Sequence, residues 1–307
     1  MFIVCGEALF DVFAQTATPT GFALDARIGG APFNLAVGLA RMAQPVAMLT
    51  TLSRGFLGER LLQTLLDEGV STALVQRSDA ATTLSLVGTD AAGVPAYAFY
   101  GEGCADRLLQ VPTTLPADAR VLCLGSYTTV VGEVAVSLRA LVARERPNVL
   151  IAYDPNIRRN VVDDVAVWRT QIDWMLPHTD VLKLSDEDLR LIDGGDPDRF
   201  AQQAIAQGVS LVLLTRGAAG ATAWTSSQRC EVTAPATQVI DTVGAGDTFQ
   251  AAALAWLAEH EALRVERLRS LSGDALRSLL GFAVQAAAIT CARRGADLPR
   301  RAQLPAA

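Results

Sequence analysis

The chain has 307 residues, of which 50% are hydrophobic and 19% are charged, so it can bury the core of one large α/β domain or of two smaller ones. Its formal net charge of -6 argues against a nucleic-acid-binding surface, which normally carries clustered Lys and Arg. These values favour small-molecule chemistry.

Lysine and cysteine usage excludes further classes. Lys183 is the only lysine among 26 basic residues, and a Walker-type phosphate loop needs a lysine after its last glycine. The five cysteines show no CxxC spacing and the two histidines stand apart, which argues against a zinc site. Free thiols are typical of a reducing cytoplasm, which is the expected compartment.

The N-terminal apolar run lacks a basic region and is interrupted by Glu7, so it predicts a strand rather than a signal peptide. Elsewhere in the sequence, every apolar run is shorter than the roughly 18 residues that a membrane-spanning helix needs. We therefore expect no membrane partner.

Short apolar runs alternate with helical patterns along the chain. The helical patterns cover 31–42, 56–69 and 130–145, and Pro32 marks a helix start. This alternation predicts an α/β fold whose mainly parallel sheet is covered on both faces and binds ligands at the carboxyl ends of its strands. The runs that predict buried strands are 2–5, 121–125, 148–154, 180–184 and 211–215.

Two segments break the alternation. Residues 82–103 have two β-rich halves around DAAG and predict a hairpin, and residues 15–30 are rich in turn formers. Together they predict a small second sheet that would close over the strand ends as a lid; a hairpin without function is the alternative. After Arg294 we expect an ordered loop and then a loose end, RAQLPAA.

The stretch DTVGAGDTFQAAAL at 241–254 carries the strongest chemical signal. Gly244 and Gly246 permit a tight turn into a helix, and the bare N–H groups at that helix start form an anion site. Asp247 would be repelled by a bound anion, so it fits a base that takes a proton from an attacking hydroxyl. A purely structural glycine turn is the alternative.

A second glycine pair opens the helix in GGAPFN at 29–34. Asn34 lies in an otherwise apolar helix, so its amide needs a hydrogen-bonding partner. We expect Asp11 to end the first strand, where ligands bind in this fold class. A carboxylate and an amide that converge there suit the vicinal hydroxyls of a sugar, although Asp11 alone is also compatible with a turn cap.

Three further motifs are individually weaker. LTRGAAGA at 214–221 and DPNIR at 154–158 each close a strand. KLSDED at 183–188 places three acids beside the lone lysine, and Ser185 with these acids is more typical of a helix N-cap than of a metal site.

Taken together, these motifs resemble the PfkB-type carbohydrate kinases, the family that includes ribokinase and fructokinase. GGAPFNLAVGLARM resembles the N-terminal signature of the family and DTVGAGDTFQAAAL the C-terminal one. The resemblance covers nearly the whole chain. It implies one ribokinase-like domain over 1–307, a three-layer α/β sandwich with lid segments at about 10–28 and 82–104.

The resemblance also implies roles for individual residues. Asp247 matches the catalytic base, and Gly244, Ala245 and Gly246 match the anion hole for the transferred phosphoryl group. The positions that match the sugar site are Asp11, Gly30, Asn34, Asn156 and Arg158. The positions that match the nucleotide site are Lys183, Thr215, Arg216, Gly217 and Gly220.

The implied cofactors are ATP and Mg²⁺, with a monovalent cation such as K⁺ as an option at Asp241, the Val243 carbonyl and the loop from Thr290 to Gly295. The family's Asn-x-x-Glu element reads Ser-Asp-Glu-Asp here, which leaves open whether Glu187 or Asp188 organises Mg²⁺. Two further departures, Val162 in place of an aromatic wall and Val284 in place of an asparagine, leave the nucleotide preference open.

The expected activity is transfer of the γ-phosphoryl group of ATP to a primary hydroxyl of a monosaccharide, with D-fructose favoured because the motifs resemble the fructokinase branch. A 2-keto-3-deoxygluconate kinase or a nucleoside kinase is the alternative. A dinucleotide-dependent oxidoreductase is disfavoured because the glycine motif lies late in the chain. A non-catalytic sugar-binding protein would be expected to lack Asp247. The expected assembly is a homodimer through the lid.

Overall fold

The computed structural model describes residues 1–89 and 95–305. These residues form strands and helices in the alternation that the sequence predicts. In chain order the strands are β1 (Phe2–Cys5), β2 (Leu9–Thr18), β3 (Gly21–Gly29), β4 (Val46–Ser53), β5 (Val75–Ser78), β6 (Leu84–Thr89), β7 (Pro95–Tyr100), β8 (Val121–Gly125), β9 (Leu150–Asp154), β10 (Val181–Ser185), β11 (Leu211–Thr215), β12 (Ala221–Trp224) and β13 (Arg229–Val232). The α-helices are α1 (Ala31–Arg41), α2 (Phe56–Asp67), α3 (Gly132–Glu145), α4 (Val165–Met175), α5 (Asp186–Asp193), α6 (Pro197–Ala206), α7 (Ala245–Glu259), α8 (Val265–Arg269) and α9 (Gly273–Cys291).

The large sheet has nine strands in the order β13-β12-β11-β10-β9-β8-β1-β4-β5. Neighbouring strands from β5 across to β11 are parallel, whereas β12 and β13 are antiparallel. Strands such as β1 and β8 are buried along their whole length, as expected for a parallel sheet that helices cover on both faces. The predicted mainly parallel α/β fold is confirmed.

Two apolar clusters fill the space between the sheet and its helices. One cluster joins the sheet to α1, α2, α7 and α9. The other joins the opposite face of the sheet to α3, α4, α5 and α6. Val4 belongs to the first cluster and Ile3 to the second, because successive side chains of a strand point to opposite faces. The result is the predicted three-layer sandwich.

Helices α1 and α7 pack side by side with small residues at their contact. A Cβ atom added to Gly38 would lie 2.8 Å from the Cβ of Ala251, so only glycine permits this approach. Asn34 and Asp247 are each four residues, about one helical turn, before this contact. The close packing of the two helices therefore brings these two polar side chains together.

The small sheet has the order β3-β2-β6-β7. It contains the two segments for which the sequence predicts a second sheet, although the DAAG residues at 90–93 lie outside the described residues. One expectation is corrected here, because Asp11 does not end the first strand. Strand β1 ends before Gly6, whose φ of 141° turns the backbone, and Asp11 lies within β2.

The C-terminal segment is more ordered than expected. Arg301–Gln303 forms a short 3₁₀ turn, Arg301 pairs with Glu259 at 2.8 Å, and Leu304 is buried. The prediction of a loose end is therefore wrong for residues 301–305, because the ion pair and the buried leucine fix this segment. Among the helices of the described residues, none combines the length and the apolar character required to cross a membrane.

Candidate active site

A cavity of about 1100 Å³ lies at the carboxyl ends of the large sheet, beneath the small sheet. Most of the residues that the sequence assigns to a site line this cavity, and four do not: Arg216, Asp241, Thr290 and Gly295. The residues that line it are Asp11, Gly30, Asn34, Asn156, Arg158, Lys183, Glu187, Asp188, Thr215, Gly217, Gly220, Val243, Gly244, Ala245, Gly246 and Asp247.

The glycine-rich turn leads directly into α7. Gly244 has a left-handed φ of 76°, and a Cβ atom there would lie 2.7 Å from the Cβ of Ala296. The N–H of Ala245 donates to the carbonyl of Thr242 at 3.2 Å. Among the described residues, the N–H groups of Gly246 and Asp247 have no acceptor. This helix start therefore presents free donors to the cavity, which suits an anion.

Asp247 is buried at the same helix start, with 9% of its surface exposed. The amide Nδ2 of Asn34 donates to its Oδ2 atom at 2.8 Å, so Asp247 is the internal partner that Asn34 needs. Burial raises the pKa of the Asp247 carboxyl above its ordinary value, while the hydrogen bond from Asn34 and the charges of Lys183 and Arg158 oppose this rise. A buried, fixed carboxylate of raised basicity can accept a proton.

Lys183 lies on the floor of the cavity beside this turn. Its ammonium Nζ donates to Asp154 Oδ2 at 2.7 Å, across the neighbouring strands β9 and β10. A Cβ atom added to Gly246 would lie 3.1 Å from Nζ, so the ammonium lies directly against this glycine. The only lysine of the chain thus places a positive charge next to the free N–H donors.

The acids of KLSDED differ in their surroundings. Asp188 is buried and accepts hydrogen bonds from Ser185 Oγ at 2.7 Å, Ser185 N at 3.2 Å and Ile157 N at 2.9 Å. Ser185 in turn caps α5, which confirms the predicted N-cap. Glu187 is exposed at the rim of the cavity. Three donors therefore hold Asp188 in one orientation, whereas Glu187 makes no side-chain hydrogen bond with the described residues.

The other end of the cavity is lined by Asp11, Gly30, Asn156 and Arg158. Gly30 has φ of 101°, and a Cβ atom there would lie 2.8 Å from the carbonyl oxygen of Glu7. Burial raises the pKa of Asp11, whereas the positive charge of Arg158 lowers the pKa values of both Asp11 and Asp247. Arg158, Asp11 and Asp247 all line this cavity. A polyol that binds here would meet the negative carboxylate of Asp11 as an acceptor, and the amide of Asn156 and the positive guanidinium of Arg158 as donors.

The turn after β11 borders the opposite part of the cavity. Gly217 has φ of 52° and Gly220 has φ of 90°, and a Cβ atom at Gly220 would lie 2.0 Å from the Val232 carbonyl oxygen. Arg216 points away from the cavity and pairs with Glu231. The adjacent wall is apolar and comes from α9, whose lining residues are Val284, Ala287, Ala288 and Cys291.

Asp241 closes a loop beside this wall. Its Oδ1 accepts the N–H of Val243 at 3.1 Å and its Oδ2 accepts the N–H of Gly295 at 2.8 Å. Arg27, on β3, approaches the same Oδ2 atom to 4.0 Å. Thr290 is buried and shares a hydrogen bond with Thr248 at 2.9 Å. Within residues 1–89 and 95–305, no cluster of three or more His, Cys, Asp or Glu side chains could hold a metal ion.

Sequence reasoning missed two buried acids that line the site or support it. Glu7 lies in the cavity wall and accepts a hydrogen bond from Thr128 at 3.0 Å, and burial raises its pKa to about 7. Asp154 is the partner of Lys183. Both carry a signal in the sequence, because Glu7 interrupts an apolar strand run and Asp154 ends one.

Comparisons with known proteins identify the family to which the chain belongs. The model of the family described as "pfkB family carbohydrate kinase" matches residues 2–303. The chain is 35% identical to a fructokinase from Rhizobium leguminosarum bv. trifolii over 91% of this chain and 86% of that one. It is 30% identical to probable fructokinase-4 from Arabidopsis thaliana, over 87% and 82% of the two chains.

A solved structure extends the agreement to three dimensions. The crystal structure of a fructokinase with bound ATP from Xylella fastidiosa superposes with a TM-score of 0.85. It is 27% identical to this chain, and the match covers 96% of this chain and 93% of that one. The fold is that of a sugar kinase. This chain belongs to the pfkB family of carbohydrate kinases, which confirms the resemblance found in the sequence.

Proposed function

We propose that this protein transfers the γ-phosphoryl group of ATP to a primary hydroxyl of D-fructose, with Asp247 as general base. One observation carries this proposal: Asp247 is buried, is held by Asn34, and stands beside free N–H donors at the start of α7. A base and an anion site thus meet at one point. The relatives that are named fructokinases support fructose as the acceptor.

The reaction follows from this arrangement. The hydroxyl oxygen of the sugar forms a bond to the γ-phosphorus while the bond to the β–γ bridging oxygen breaks, and ADP leaves. Asp247 takes the hydroxyl proton. Phosphoryl transfer has a loose transition state, so the enzyme acts mainly by positioning and by stabilising charge. The N–H groups of Gly246 and Asp247, together with Lys183, supply that stabilisation.

The binding of each substrate is assigned to one end of the cavity. Asp11, Gly30, Asn34, Asn156 and Arg158 would hold the sugar. The turn with Thr215, Gly217 and Gly220, together with the apolar wall of α9, would hold the nucleotide, and Arg216 would brace this turn through Glu231. Arg158 is the one arginine among the described residues that line the cavity, so the cavity offers no arginine cluster for the carboxylate of a 2-keto-3-deoxy acid.

Of the two candidate acids for Mg²⁺, we favour Asp188. Mg²⁺ keeps several water ligands and reaches proteins through few carboxylates and the substrate phosphates. Asp188 fits because three donors hold its carboxylate in place near Lys183, so it can orient a metal-bound water. Bound Mg²⁺ would neutralise phosphate charge. The residues around Asp241 fit K⁺ less well, because the Arg27 guanidinium already lies 4.0 Å from the Asp241 carboxylate. We therefore expect the enzyme to turn over without K⁺.

The small sheet would act as a lid on a single kinase domain that spans 1–307. Strands β2 and β6 carry Asp11 and Ser85 into the cavity wall, so closure of this sheet would exclude water from the reaction. Phe22 and Leu24 are exposed on β3, which supports a homodimer through the lid. Light scattering of the wild type and of Phe22→Ser tests this assembly.

A screen of ATP consumption over a panel of sugars and nucleosides tests the proposed function. We expect D-fructose to give the highest kcat/KM. A higher value for a 2-keto-3-deoxy acid or for a nucleoside would contradict fructose while preserving the kinase. ATP consumption that no acceptor stimulates would contradict the kinase itself. Reactions without an acceptor give the background of ATP consumption.

A further inference from the structure

The Lys183–Asp154 ion pair is almost closed off from solvent. The two side chains are only 4% and 6% exposed, and the pair joins the carboxyl end of β9 to the middle of β10. Such a pair adds little to stability, because the cost of removing two charges from water offsets their attraction. An apolar pair of similar volume would join the strands equally well. Stability alone therefore does not account for this pair.

The pair is also incompletely hydrogen-bonded. An ammonium group carries three N–H donors, and the described residues offer Lys183 one acceptor. The second oxygen of Asp154, Oδ1, is buried and has no partner among those residues. Asp188 nearby accepts three hydrogen bonds. Contact with Lys183 is thus the one interaction that the structure gives to the Asp154 carboxylate.

The position of the ammonium connects the pair to the anion site. Nζ of Lys183 is 3.1 Å from the point where a Cβ of Gly246 would lie, and the Gly246 N–H is one of the free donors at the start of α7. An anion bound by these donors would lie within reach of the unused donors of Lys183. A mobile or neutral lysine would not serve this purpose.

We propose that Asp154 is a positioning residue for phosphoryl transfer, which holds the charged Lys183 ammonium against Gly246 so that it meets the transferred phosphoryl group. Asp154 touches neither substrate and acts through Lys183. The inference rests on the proposed kinase function and deepens it, because it gives a buried acid outside the glycine-rich turn a part in the reaction.

Electrostatics agrees with this role. Burial alone lowers the pKa of Lys183, but the charge and hydrogen bond of Asp154, with smaller effects of Asp188 and Asp247, raise it above the ordinary value. These three carboxylates are the charged groups that face the ammonium. Burial raises the pKa of Asp154 to about 6, so this carboxyl is charged at pH values well above 6. Without the charge of Asp154, burial would lower the pKa of Lys183.

The test is the pH dependence of kcat in Asp154→Asn, at saturating ATP and fructose between pH 6 and 10. We expect a new alkaline limb, because Lys183 of the variant loses its proton at pH values at which the wild-type lysine stays protonated. At the high end kcat should be about 10²–10³-fold below the wild type, the usual cost of one lost charge-stabilising donor. In Asp154→Asn/Lys183→Met, kcat should be low at every pH and the limb absent.

Asp180→Asn is the matched control. Asp180 is also buried and paired, with Arg146 at 2.9 Å, but it lies just before β10, at the opposite end of the strand from the cavity. Its replacement should lower stability without creating an alkaline limb. A purely structural role of Asp154 predicts that the two variants behave alike.

A direct observation of Lys183 does not depend on turnover. Because the chain has one lysine, protein labelled with [¹³Cε]lysine and free of lysine-containing tags gives a single side-chain NMR signal, from Lys183. In the wild type it should remain that of an ammonium to pH 10, because the charge and hydrogen bond of Asp154 raise the pKa of Lys183. In Asp154→Asn it should titrate below about 10.4, the ordinary lysine value.

Two results would overturn the inference: an Asp154→Asn pH profile parallel to that of the wild type, or a Lys183 signal in Asp154→Asn that stays that of an ammonium to pH 10, as in the wild type. The proposed function is tested separately, because wild-type turnover of fructose is measured first. A wild type without sugar kinase activity would overturn that function and this inference with it.

Discussion

Asn34 donates a 2.8 Å hydrogen bond to Asp247, 213 positions along the sequence, and this bond joins the first turns of α1 and α7. It fixes the carboxylate beside the free N–H donors of α7. It also lowers the pKa of Asp247, against the effect of burial. The same amide therefore sets both the position and the basicity of the proposed base.

Asn34→Ala should shift the acid limb of the kcat pH profile to higher pH. The variant loses the hydrogen bond that stabilises the charged form of Asp247, so burial raises the pKa of this carboxyl further. The measurement is kcat between pH 5 and 9 at saturating substrates. An unchanged acid limb would show that Asn34 does not control the proton acceptor.

Glu7→Gln should flatten the dependence of stability on pH. Burial raises the pKa of Glu7 from 4.5 to about 7. The unfolded chain therefore loses this proton at a lower pH than the folded protein does. The stabilisation from the protonated carboxyl is full below pH 4.5 and is lost as the pH rises through 7. The loss amounts to about 3 kcal/mol, at 1.36 kcal/mol for each pH unit between the two pKa values.

The free energy of urea unfolding at pH 5 and pH 8 measures this effect. The wild type should lose more stability than Glu7→Gln between the two pH values, because glutamine stays neutral. Equal losses in both proteins would mean that Glu7 titrates normally in the folded state.

Gly246→Ala should reduce kcat strongly with little change in stability. The new methyl group would lie 3.1 Å from Nζ of Lys183 and would push the ammonium out of place. Gly281→Ala on α9 is the control, because its Cβ would meet open space. A glycine-to-alanine change in a helix of this kind stabilises a protein by about 0.4–1 kcal/mol. Equal kcat values in the two variants would exclude close contact between Gly246 and Lys183.

Asp188→Asn should raise the Mg²⁺ concentration needed for half-maximal activity, whereas Glu187→Gln should leave it unchanged. Asp188 is held by three donors near Lys183, and Glu187 is exposed. Magnesium titrations of both variants at fixed ATP check the assignment. A larger effect in Glu187→Gln would reverse it.

Much of the fold could be predicted from the sequence, because buried parallel strands leave uninterrupted apolar runs and the glycine turns mark the helix starts. The position of Asp11 could not, because Gly6 breaks the chain through a backbone angle that no local pattern reveals. Glu7 and Asp154 were missed for another reason. Their roles depend on partners far along the chain, Thr128 and Lys183, which only the packing of the strands brings close.

The turnover of Asp247→Asn tests the central claim most directly. If Asp247 is the general base, kcat should fall by about 10²–10⁴-fold. ATP affinity should stay close to that of the wild type, because the N–H donors at the start of α7 remain and a repelling charge beside the phosphates is removed. A merely structural role predicts instead a loss of about 1 kcal/mol in stability with kcat nearly unchanged. A folded variant that retains more than about a tenth of the wild-type kcat would contradict the account.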